Sequence, residues 1–357
     1  MTQEILPYNA ADYNVFVGID VDLKSFAVTF KDERNMNISK KIPAEPKYLL
    51  NYIKKNFAGK KVICVYEAGP TGYHLYDYMK KKKQNCLVVS PSSIPKARNE
   101  KVKTNRLDSV KLARQLKSGD IKPIRVPEGQ WRDLRYLIES RENYVKMRKI
   151  AKQRIKSLLL QANIKIALKE SDKNWSARYI KYLGAVKCSS GVRVRLNMLL
   201  VDLDYARVQT LNILRSIKKF FNDHKAMNDY RSYLESIPGI GFITAATILA
   251  RVGDPVNIRN VRELGSFVGL VPKEDSTGDN IRRGSITHAG NRVLRSLLIE
   301  AAWSAIRKDK ELMQFFHRIK KRNNPKIAGR IAITAVARKL THRVYSVLRE
   351  RRNYIVH

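Results

Sequence analysis

An α/β domain with a mixed sheet, a helical middle and a mainly α C-terminal region is what this 357-residue sequence predicts. Three observations carry that reading. Short apolar runs alternate with helical periodicity up to about residue 120. From about 129 to 227 the helical spacing continues without a convincing strand, and a glycine-punctuated helical pattern then leads into a basic tail. At roughly 150 residues per domain, the length fits two or three domains.

The strands come first. VFVGID (15–20) is a short apolar run that closes on Asp20, and SFAVTF (25–30) alternates as a hairpin partner would. KKVICVYEAG (60–69) is a second buried strand, ending in Glu67. Tyr73 to Lys83 reads as a helix and NCLVVS (85–90) as a third apolar strand. In DSVKLARQLK (108–117), Val110, Leu112, Ala113 and Leu116 share a helical face behind an N-cap at Asp108.

The helical stretches follow. Over 129–165, ten Lys/Arg stand against three Asp/Glu, while Leu134, Ile138, Val145, Ile155 and Leu159 mark a helical stripe. With a second helical stretch at about 192–222, this predicts a helical hairpin or coiled-coil arm. In LESIPGIGFITAATILARVGD (234–254), a short helix, Pro238-Gly239-Ile240-Gly241 and a small-residue helix form a helix-hairpin-helix pattern. Its Gly239 and Gly241 would let backbone N–H groups approach a phosphate. The tail from 307 to 352 carries fifteen Lys/Arg and three acids.

Composition narrows the class. Seventy Lys and Arg against 32 Asp and Glu leave a formal charge of +38, more than solubility needs, and point to nucleic acid. The hydrophobic share of 44% is enough for a folded core. No apolar run approaches the ~18–20 residues of a transmembrane helix, and MTQEILPYNAADYN has no signal-peptide pattern. Cys64, Cys86 and Cys188 are scattered and odd in number, which fits a reducing cytoplasm and offers no zinc spacing. The expected setting is cytoplasmic, with no membrane partner.

Two constellations carry chemistry. Asp20, Glu67 and Asp108 fall at strand ends or a helix start, where residues distant in sequence can converge. Carboxylates are the hard oxygen ligands that Mg²⁺ or Mn²⁺ requires for nucleic-acid cleavage. Singly, each acid also reads as structural. The second constellation is PKEDSTGDNIRRGSITHAGNRVLR (272–295), a turn-rich stretch with Ser276 flanked by Arg282, Arg283, Arg292 and Arg295. A serine hydroxyl can attack a phosphodiester if guanidinium groups neutralise the charge building on phosphorus; equally, such a loop can simply grip a backbone. Lys80–Lys83, Lys96, Arg98, Lys101, Lys103, Arg106, Lys111 and Arg114 make the acids' surroundings positive. Tyr73, Tyr76, Tyr78 and the three tryptophans read as packing residues.

With these residues assembled, the chain resembles the DEDD-type transposases of the insertion sequence 110 family, recombinases guided by a structured bridge RNA. The matching stretches, in order, are VGIDV (17–21), YEAGPTGYHLY (66–76), VKTNRLDSVKLA (102–113), IPGIG (237–241) and STGDNIRRGSITHAGNRVLR (276–295). The resemblance implies an α/β RuvC-like (RNase H-like) domain over 14–125. A coiled-coil or helical dimerisation arm over 126–227 would follow, then a serine-containing transposase domain with helix-hairpin-helix over 228–357. It implies Mg²⁺ (or Mn²⁺) at Asp20, Glu67 and Asp108, and Ser276 as nucleophile. The family's fourth acid falls on Asn105, whose amide oxygen can still ligate a divalent ion or hold its water. Asp22, taken as lying on the opposite face of its strand, is not expected to replace that acid.

The resemblance also implies partners: donor and target DNA, the bridge RNA, and a homo-tetramer built as a dimer of dimers, in a prokaryotic, nucleoid-associated setting. Lys103, Arg106, Gly239, Gly241, Arg282, Arg283, His288, Asn291 and Arg295 are the expected nucleic-acid contacts, with His288 at a position where the family usually has Lys. Two rivals stay open. A RuvC-like nuclease or junction resolvase would use water and leave no covalent adduct; a non-enzymatic basic binding protein would be indifferent to losing Asp20 or Ser276.

Overall fold

A computed structural model describes residues 8–34, 37–91, 105–167, 174–277, 280–287 and 289–355, with backbone alone for Asn105, 274–277 and 280–283. The chain divides into two compact units, 1–126 and 127–357. The second unit holds both the helical arm and the C-terminal region.

The first unit is a five-stranded mixed sheet between helices. Strands β1 (Val15–Val21), β2 (Ser25–Asp32) and β3 (Asn37–Pro43) form an antiparallel meander. Strands β4 (Val62–Glu67) and β5 (Asn85–Val89) then add in parallel to β1, giving the order β3-β2-β1-β4-β5. Helix α1 (Pro46–Asn56) enters through a proline in its first turn and buries Leu49, Leu50 and Ile53. Helix α2 (His74–Lys81) buries Leu75 and Met79 beside them. On the opposite sheet face lies helix α3 (Asn105–Ser118), through Leu112 and Leu116.

β1 and β4 are covered on both faces, which is why their sequences read as nearly continuous apolar runs. Alternation nevertheless assigns every side chain to a face. Val15, Val17 and Ile19 of β1 and Cys64 and Tyr66 of β4 join the α1/α2 side. Phe16 of β1 and Ile63 and Val65 of β4 join the α3 side. Gly18 belongs to the α3 face as well, and a Cβ there would lie 2.1 Å from the Ser109 carbonyl oxygen and 2.4 Å from the Ala113 nitrogen.

Beside that contact a hydroxyl chain is buried. Thr29 of β2, fully inaccessible, pairs its Oγ1 with Ser39 Oγ at 2.9 Å and Ser109 Oγ at 2.8 Å. Lys117 Nζ donates to the carbonyls of Asp32 and Glu33 at 2.9 and 3.0 Å, so the C-terminal end of α3 is held at the start of β1, where Asp32 pairs with Val15.

Among the described residues of the first unit, one strand and one helix had no expectation in the sequence. β3 is an edge strand with Lys40 and Lys41 exposed, so its apolar alternation is faint. α1 is short, and only its leucine pair and Ile53 mark a face. Asp22 also differs from expectation. Strand alternation would have put it on Asp20's own face; it lies instead just beyond β1, exposed, with its Oδ1 accepting the Leu23 N–H at 2.7 Å.

The second unit opens with helix α4 (Gln130–Gln161), helix α5 (Ala177–Ala185) and helix α6 (Ser190–Asp223). α4 and α6 run antiparallel. Ile155, Leu158 and Leu159 meet Leu196, Leu199 and Leu203 at one end; Leu134 and Ile138 join Ile217 and Phe221 in the C-terminal core at the other. The inner stripe of α6 runs Leu196, Leu199, Leu203, Ala206, Thr210, Ile217, a heptad spacing.

Helices α7 (Lys225–Glu235), α8 (Phe242–Val252) and α9 (Val261–Val268) lead to strands β6 (Pro272–Thr277) and β7 (Asn280–Ile286). The core closes with α10 (Arg292–Ala305), α11 (Lys310–Lys321) and α12 (Pro325–Glu350), the last buried along much of its length from Ala328 to Leu348. Among the described residues no helix is long and apolar enough to cross a membrane.

Replacing Gly18 with Ala should cost the first unit about 2–4 kcal/mol, since two backbones and not a flexible side chain must give way; a lowered urea midpoint checks it. Cys64 and Cys86 pair in register on β4 and β5, and burial holds the Cys64 thiol up at about 12 and raises Cys86 well above its ordinary value. A thiol reagent at pH 8 should therefore label half-exposed Cys188 quickly, and the other two only after denaturation.

Candidate nucleic-acid processing site

Strand parity and helix direction carry the acids toward one end of the sheet. β1 and β4 are parallel neighbours whose last paired rung is Ile19 with Tyr66, so Asp20 and Glu67 occupy the next rung. Adjacent strands lie about 4.8 Å apart, and both residues have the parity of the α3 face. α3 runs against β1: Ser109 sits over Gly18, while Leu116 lies with Phe16 and Lys117 reaches the end of β2. Its first turn, with Asn105 and Asp108 three residues apart, is thereby carried toward the end of β1 that bears Asp20.

Asp20, Glu67 and Asp108 are all partly exposed, so solvent and ligands reach them. Among the described residues no three His, Cys, Asp or Glu side chains stand close enough to ligate one ion. Asp20, Glu67 and Asp108 stand as separate hard oxygen donors, of which a divalent ion such as Mg²⁺ commonly takes one or two beside its own waters and substrate phosphates. Arg106 is exposed in the same helical turn, whereas Lys103 lies outside the described residues.

Ser276 belongs to the other unit. The stretch expected to be turn-rich is a β-hairpin, with Ser276 opposite Ile281 and Thr277 opposite Asn280. Its polar, arginine-rich strands have no apolar alternation, which hid them from periodicity. Arg282 and Arg283 lie on β7 opposite Asp275 and Glu274. His288 lies outside the described residues.

The roots of this hairpin are clasped by two glycines the sequence reading did not weigh and by Asn291, which it expected as a nucleic-acid contact. Gly269 ends α9 in the left-handed region (φ 77°), and a Cβ there would be 1.8 Å from the Ala289 carbonyl. Gly290, also at positive φ, would place a Cβ 2.6 Å from the Phe267 carbonyl, and the Asn291 N–H donates to that same carbonyl at 2.7 Å. Asn291 then caps α10 by accepting the Leu294 N–H at 3.1 Å.

Arg295 departs from expectation. It is 9% exposed, and its Nη1 donates to the carbonyls of Ala289 at 2.8 Å and Val268 at 3.3 Å. Its side chain therefore cross-links the hairpin's base from inside; the helical position of 295, on the buried face with Leu294 and Leu298, turns it inward. The signal available was that periodicity.

The two glycines between α7 and α8 also part ways. Gly239 (φ 92°) abuts α10 so closely that a Cβ would be 2.4 Å from the Ala301 carbonyl and 2.8 Å from the Ala305 nitrogen. Packing accounts for that glycine. Gly241 starts α8 with open space where a Cβ would be, leaving its side of the turn accessible.

Similarity to known proteins follows the same two halves. The family described as "Transposase IS116/IS110/IS902 family" matches residues 231–326, and the DEDD transposase family of IS110 type matches residues 17–164. A protein of Sinorhizobium fredii named as a transposase, y4qE, is 30% identical over 299 residues, 82% of this chain and 73% of its own. The transposase for insertion sequence element IS1533 of Leptospira borgpetersenii is 29% identical across 71% of this chain and 74% of its own. A pilin gene-inverting protein of Moraxella bovis is 29% identical over 140 residues, 39% of this chain and 42% of its own.

Arg295→Ala should lower the midpoint of urea unfolding without nucleic acid present, corresponding to a loss of about 2–4 kcal/mol of stability for a buried charge-assisted cross-link. An unchanged midpoint would contradict the inward placement. With acids of matching parity in one unit and a serine hairpin in the other, each lying within a matching family region, the chain belongs to the DEDD-type transposases of the insertion sequence 110 family.

Proposed function

We propose that this transposase is an RNA-guided DNA recombinase that exchanges strands between donor element and target through a serine–DNA intermediate. The observation that supports the reading is that Asp20 and Glu67 follow the last paired rung of two parallel neighbouring strands, with the parity of the sheet face that α3 covers. A divalent ion such as Mg²⁺ or Mn²⁺, held there by Asp20, Glu67 and Asp108 with Asn105 beside them, would supply positive charge for a scissile phosphate. Ser276 Oγ attacks the phosphorus. The Oγ–P bond forms as the bond to the neighbouring 3′ oxygen breaks, leaving a 5′-phosphoserine link and a 3′-hydroxyl that takes up a proton.

Conserving the phosphodiester energy in that link lets the strands rejoin without a cofactor. The relative named for inverting a pilin gene supports such rearrangement over plain degradation. A charge of +38 supports polyanionic partners, here DNA and a structured guide RNA. Assembly through the helical arm is supported by a second stripe on α6: Val194, Met198, Val201, Tyr205 and Val208 keep heptad spacing and are 43–67% exposed. A tetramer built as a dimer of dimers would let one subunit's acids meet another's serine.

The water-using nuclease has one observation in its favour: Asp20, Glu67 and Asp108 all lie in one unit, which does not contain Ser276. The two readings part on a denaturing gel. With Mg²⁺, guide RNA and the element's junction DNA, the parent should form a protein–DNA adduct that Ser276→Ala lacks and EDTA abolishes. Asp20→Asn should lower its yield at least about 100-fold, the scale of losing one catalytic electrostatic group. Cleavage without adduct would establish the nuclease. Asn105→Asp should lower the Mg²⁺ concentration needed for half-maximal adduct; an unchanged requirement would show that the amide suffices.

A further inference from the structure

Beyond the acids and the serine hairpin, the distal half of α4 carries a run of cations the proposed chemistry does not use. No Asp or Glu occurs between Glu142 and Glu170, while Lys146, Arg148, Lys149, Lys152, Arg154 and Lys156 all do. At 3.6 residues per turn, Arg148, Lys152, Lys156 and Lys149 fall within an arc of about 100°, flanking the seam that Ala151 and Ile155 bury against α6. Lys146 and Arg154 stand about 160° and 240° round from Arg148.

Among the described residues none of the four ridge cations is in a salt bridge, although exposed Asp202 and Asp204 lie on neighbouring α6. Like charges at four-residue spacing repel, so the ridge costs the isolated helix stability. Burial, then Arg148 and Lys156, pull the Lys152 ammonium below its ordinary range. Trp175 keeps that ammonium in place, its ring centroid 5.2 Å from Nζ. Such a row is maintained at a loss unless something negative lies along it.

The helix rise fits one kind of partner. Arg148 to Lys156 spans about 12 Å, over which a single strand of a B-form duplex presents three to four phosphates at about 3.4 Å of axis each. We infer that the α4 ridge of Arg148, Lys149, Lys152 and Lys156 is a nucleic-acid contact surface that tracks one phosphodiester strand. No base edge need be read by it, because lysine ammoniums act as point charges. The inference rests on a nucleic acid being the partner, but not on the serine chemistry.

The test uses the whole protein and equilibrium binding, with no cleavage step. Lys149→Gln/Lys156→Gln removes two exposed ridge charges with little change in helix propensity. Lys146→Gln/Arg154→Gln removes two exposed charges from the same helix but off the ridge. Each variant is titrated against a duplex DNA and a folded RNA hairpin across 50–300 mM salt. The ridge variant should bind at least one probe roughly 10- to 30-fold more weakly near 0.15 M salt, with a log–log salt slope shallower by about 1.8 for DNA. The off-ridge variant should stay within about twofold of the parent, and the probe affected tells whether DNA or RNA occupies the ridge. Equal losses in both variants, or none in either, overturn the inference. If the parent binds neither probe, the nucleic-acid reading falls and the ridge with it; loss of the covalent adduct with ridge binding intact would refute the serine chemistry alone.

Discussion

A strand backbone and a helix backbone meet at Gly18 with no side chain between them, and the N-terminal unit is organised around that meeting. Because Ser109 and Ala113 press on Gly18, α3 can cross β1 at one height only. Thr29 and Ser109 then share a hydrogen bond that an apolar neighbour could not supply, so sliding α3 would strand buried hydroxyls. With the helix pinned, its first turn is set relative to the end of β1. Strand parity does the rest, since the residues two on from Gly18 in β1 and from Val65 in β4 face the same way. The acids are thus positioned by packing several residues behind them.

In the second unit, arginine is a building material. Arg135 donates to the carbonyls of Ala250 and Arg251 at 3.1 Å each, closing the end of α8. Arg251 reaches back to Glu139 at 2.8 Å and Glu142 at 2.6 Å on α4. Arg343 joins Asp309, itself 3% exposed, at 2.6 Å and so ties α12 to the cap of α11. Arg295 does the same for the hairpin's base. A guanidinium's several donors suit it to gathering orphaned carbonyls where helices end. A large positive excess therefore overstates the cation available to a polyanion, and the exposed lysine rows report it better.

Much of the first unit was legible because its strands are buried on both faces and their apolar runs are hard to mistake. Asp20 and Glu67 stood out for the same reason, as charged endings to such runs, whereas Asp108 was marked by the helical face that follows it. β3 escaped because an edge strand carries lysines where a central one carries valine, and α1 because three apolar residues make a weak face. The β6/β7 hairpin escaped for a different reason: its strands alternate polar with polar, so nothing in their periodicity distinguishes them from a turn-rich loop. The clasp at its root lies partly in glycine geometry, which spacing does not reveal, and partly in one inward arginine, which helical periodicity could have marked. Asp22 shows a different failure, a wrong parity: the pleat would have put it on Asp20's face, and the turn after β1 takes it off the strand instead.

The regular spacing along α6 has a consequence for how such chains can change length. Each set of seven residues restores the same inner face after about 10.5 Å of helix. Removing or adding one heptad in both α4 and α6 would shorten or extend the arm while returning every remaining side chain to an equivalent neighbour. An insertion of one to six residues would rotate the distal end about the arm's axis. The hairpin is in that sense graduated like a ruler, and the reach of the arm can be altered in whole divisions while both ends keep their own packing.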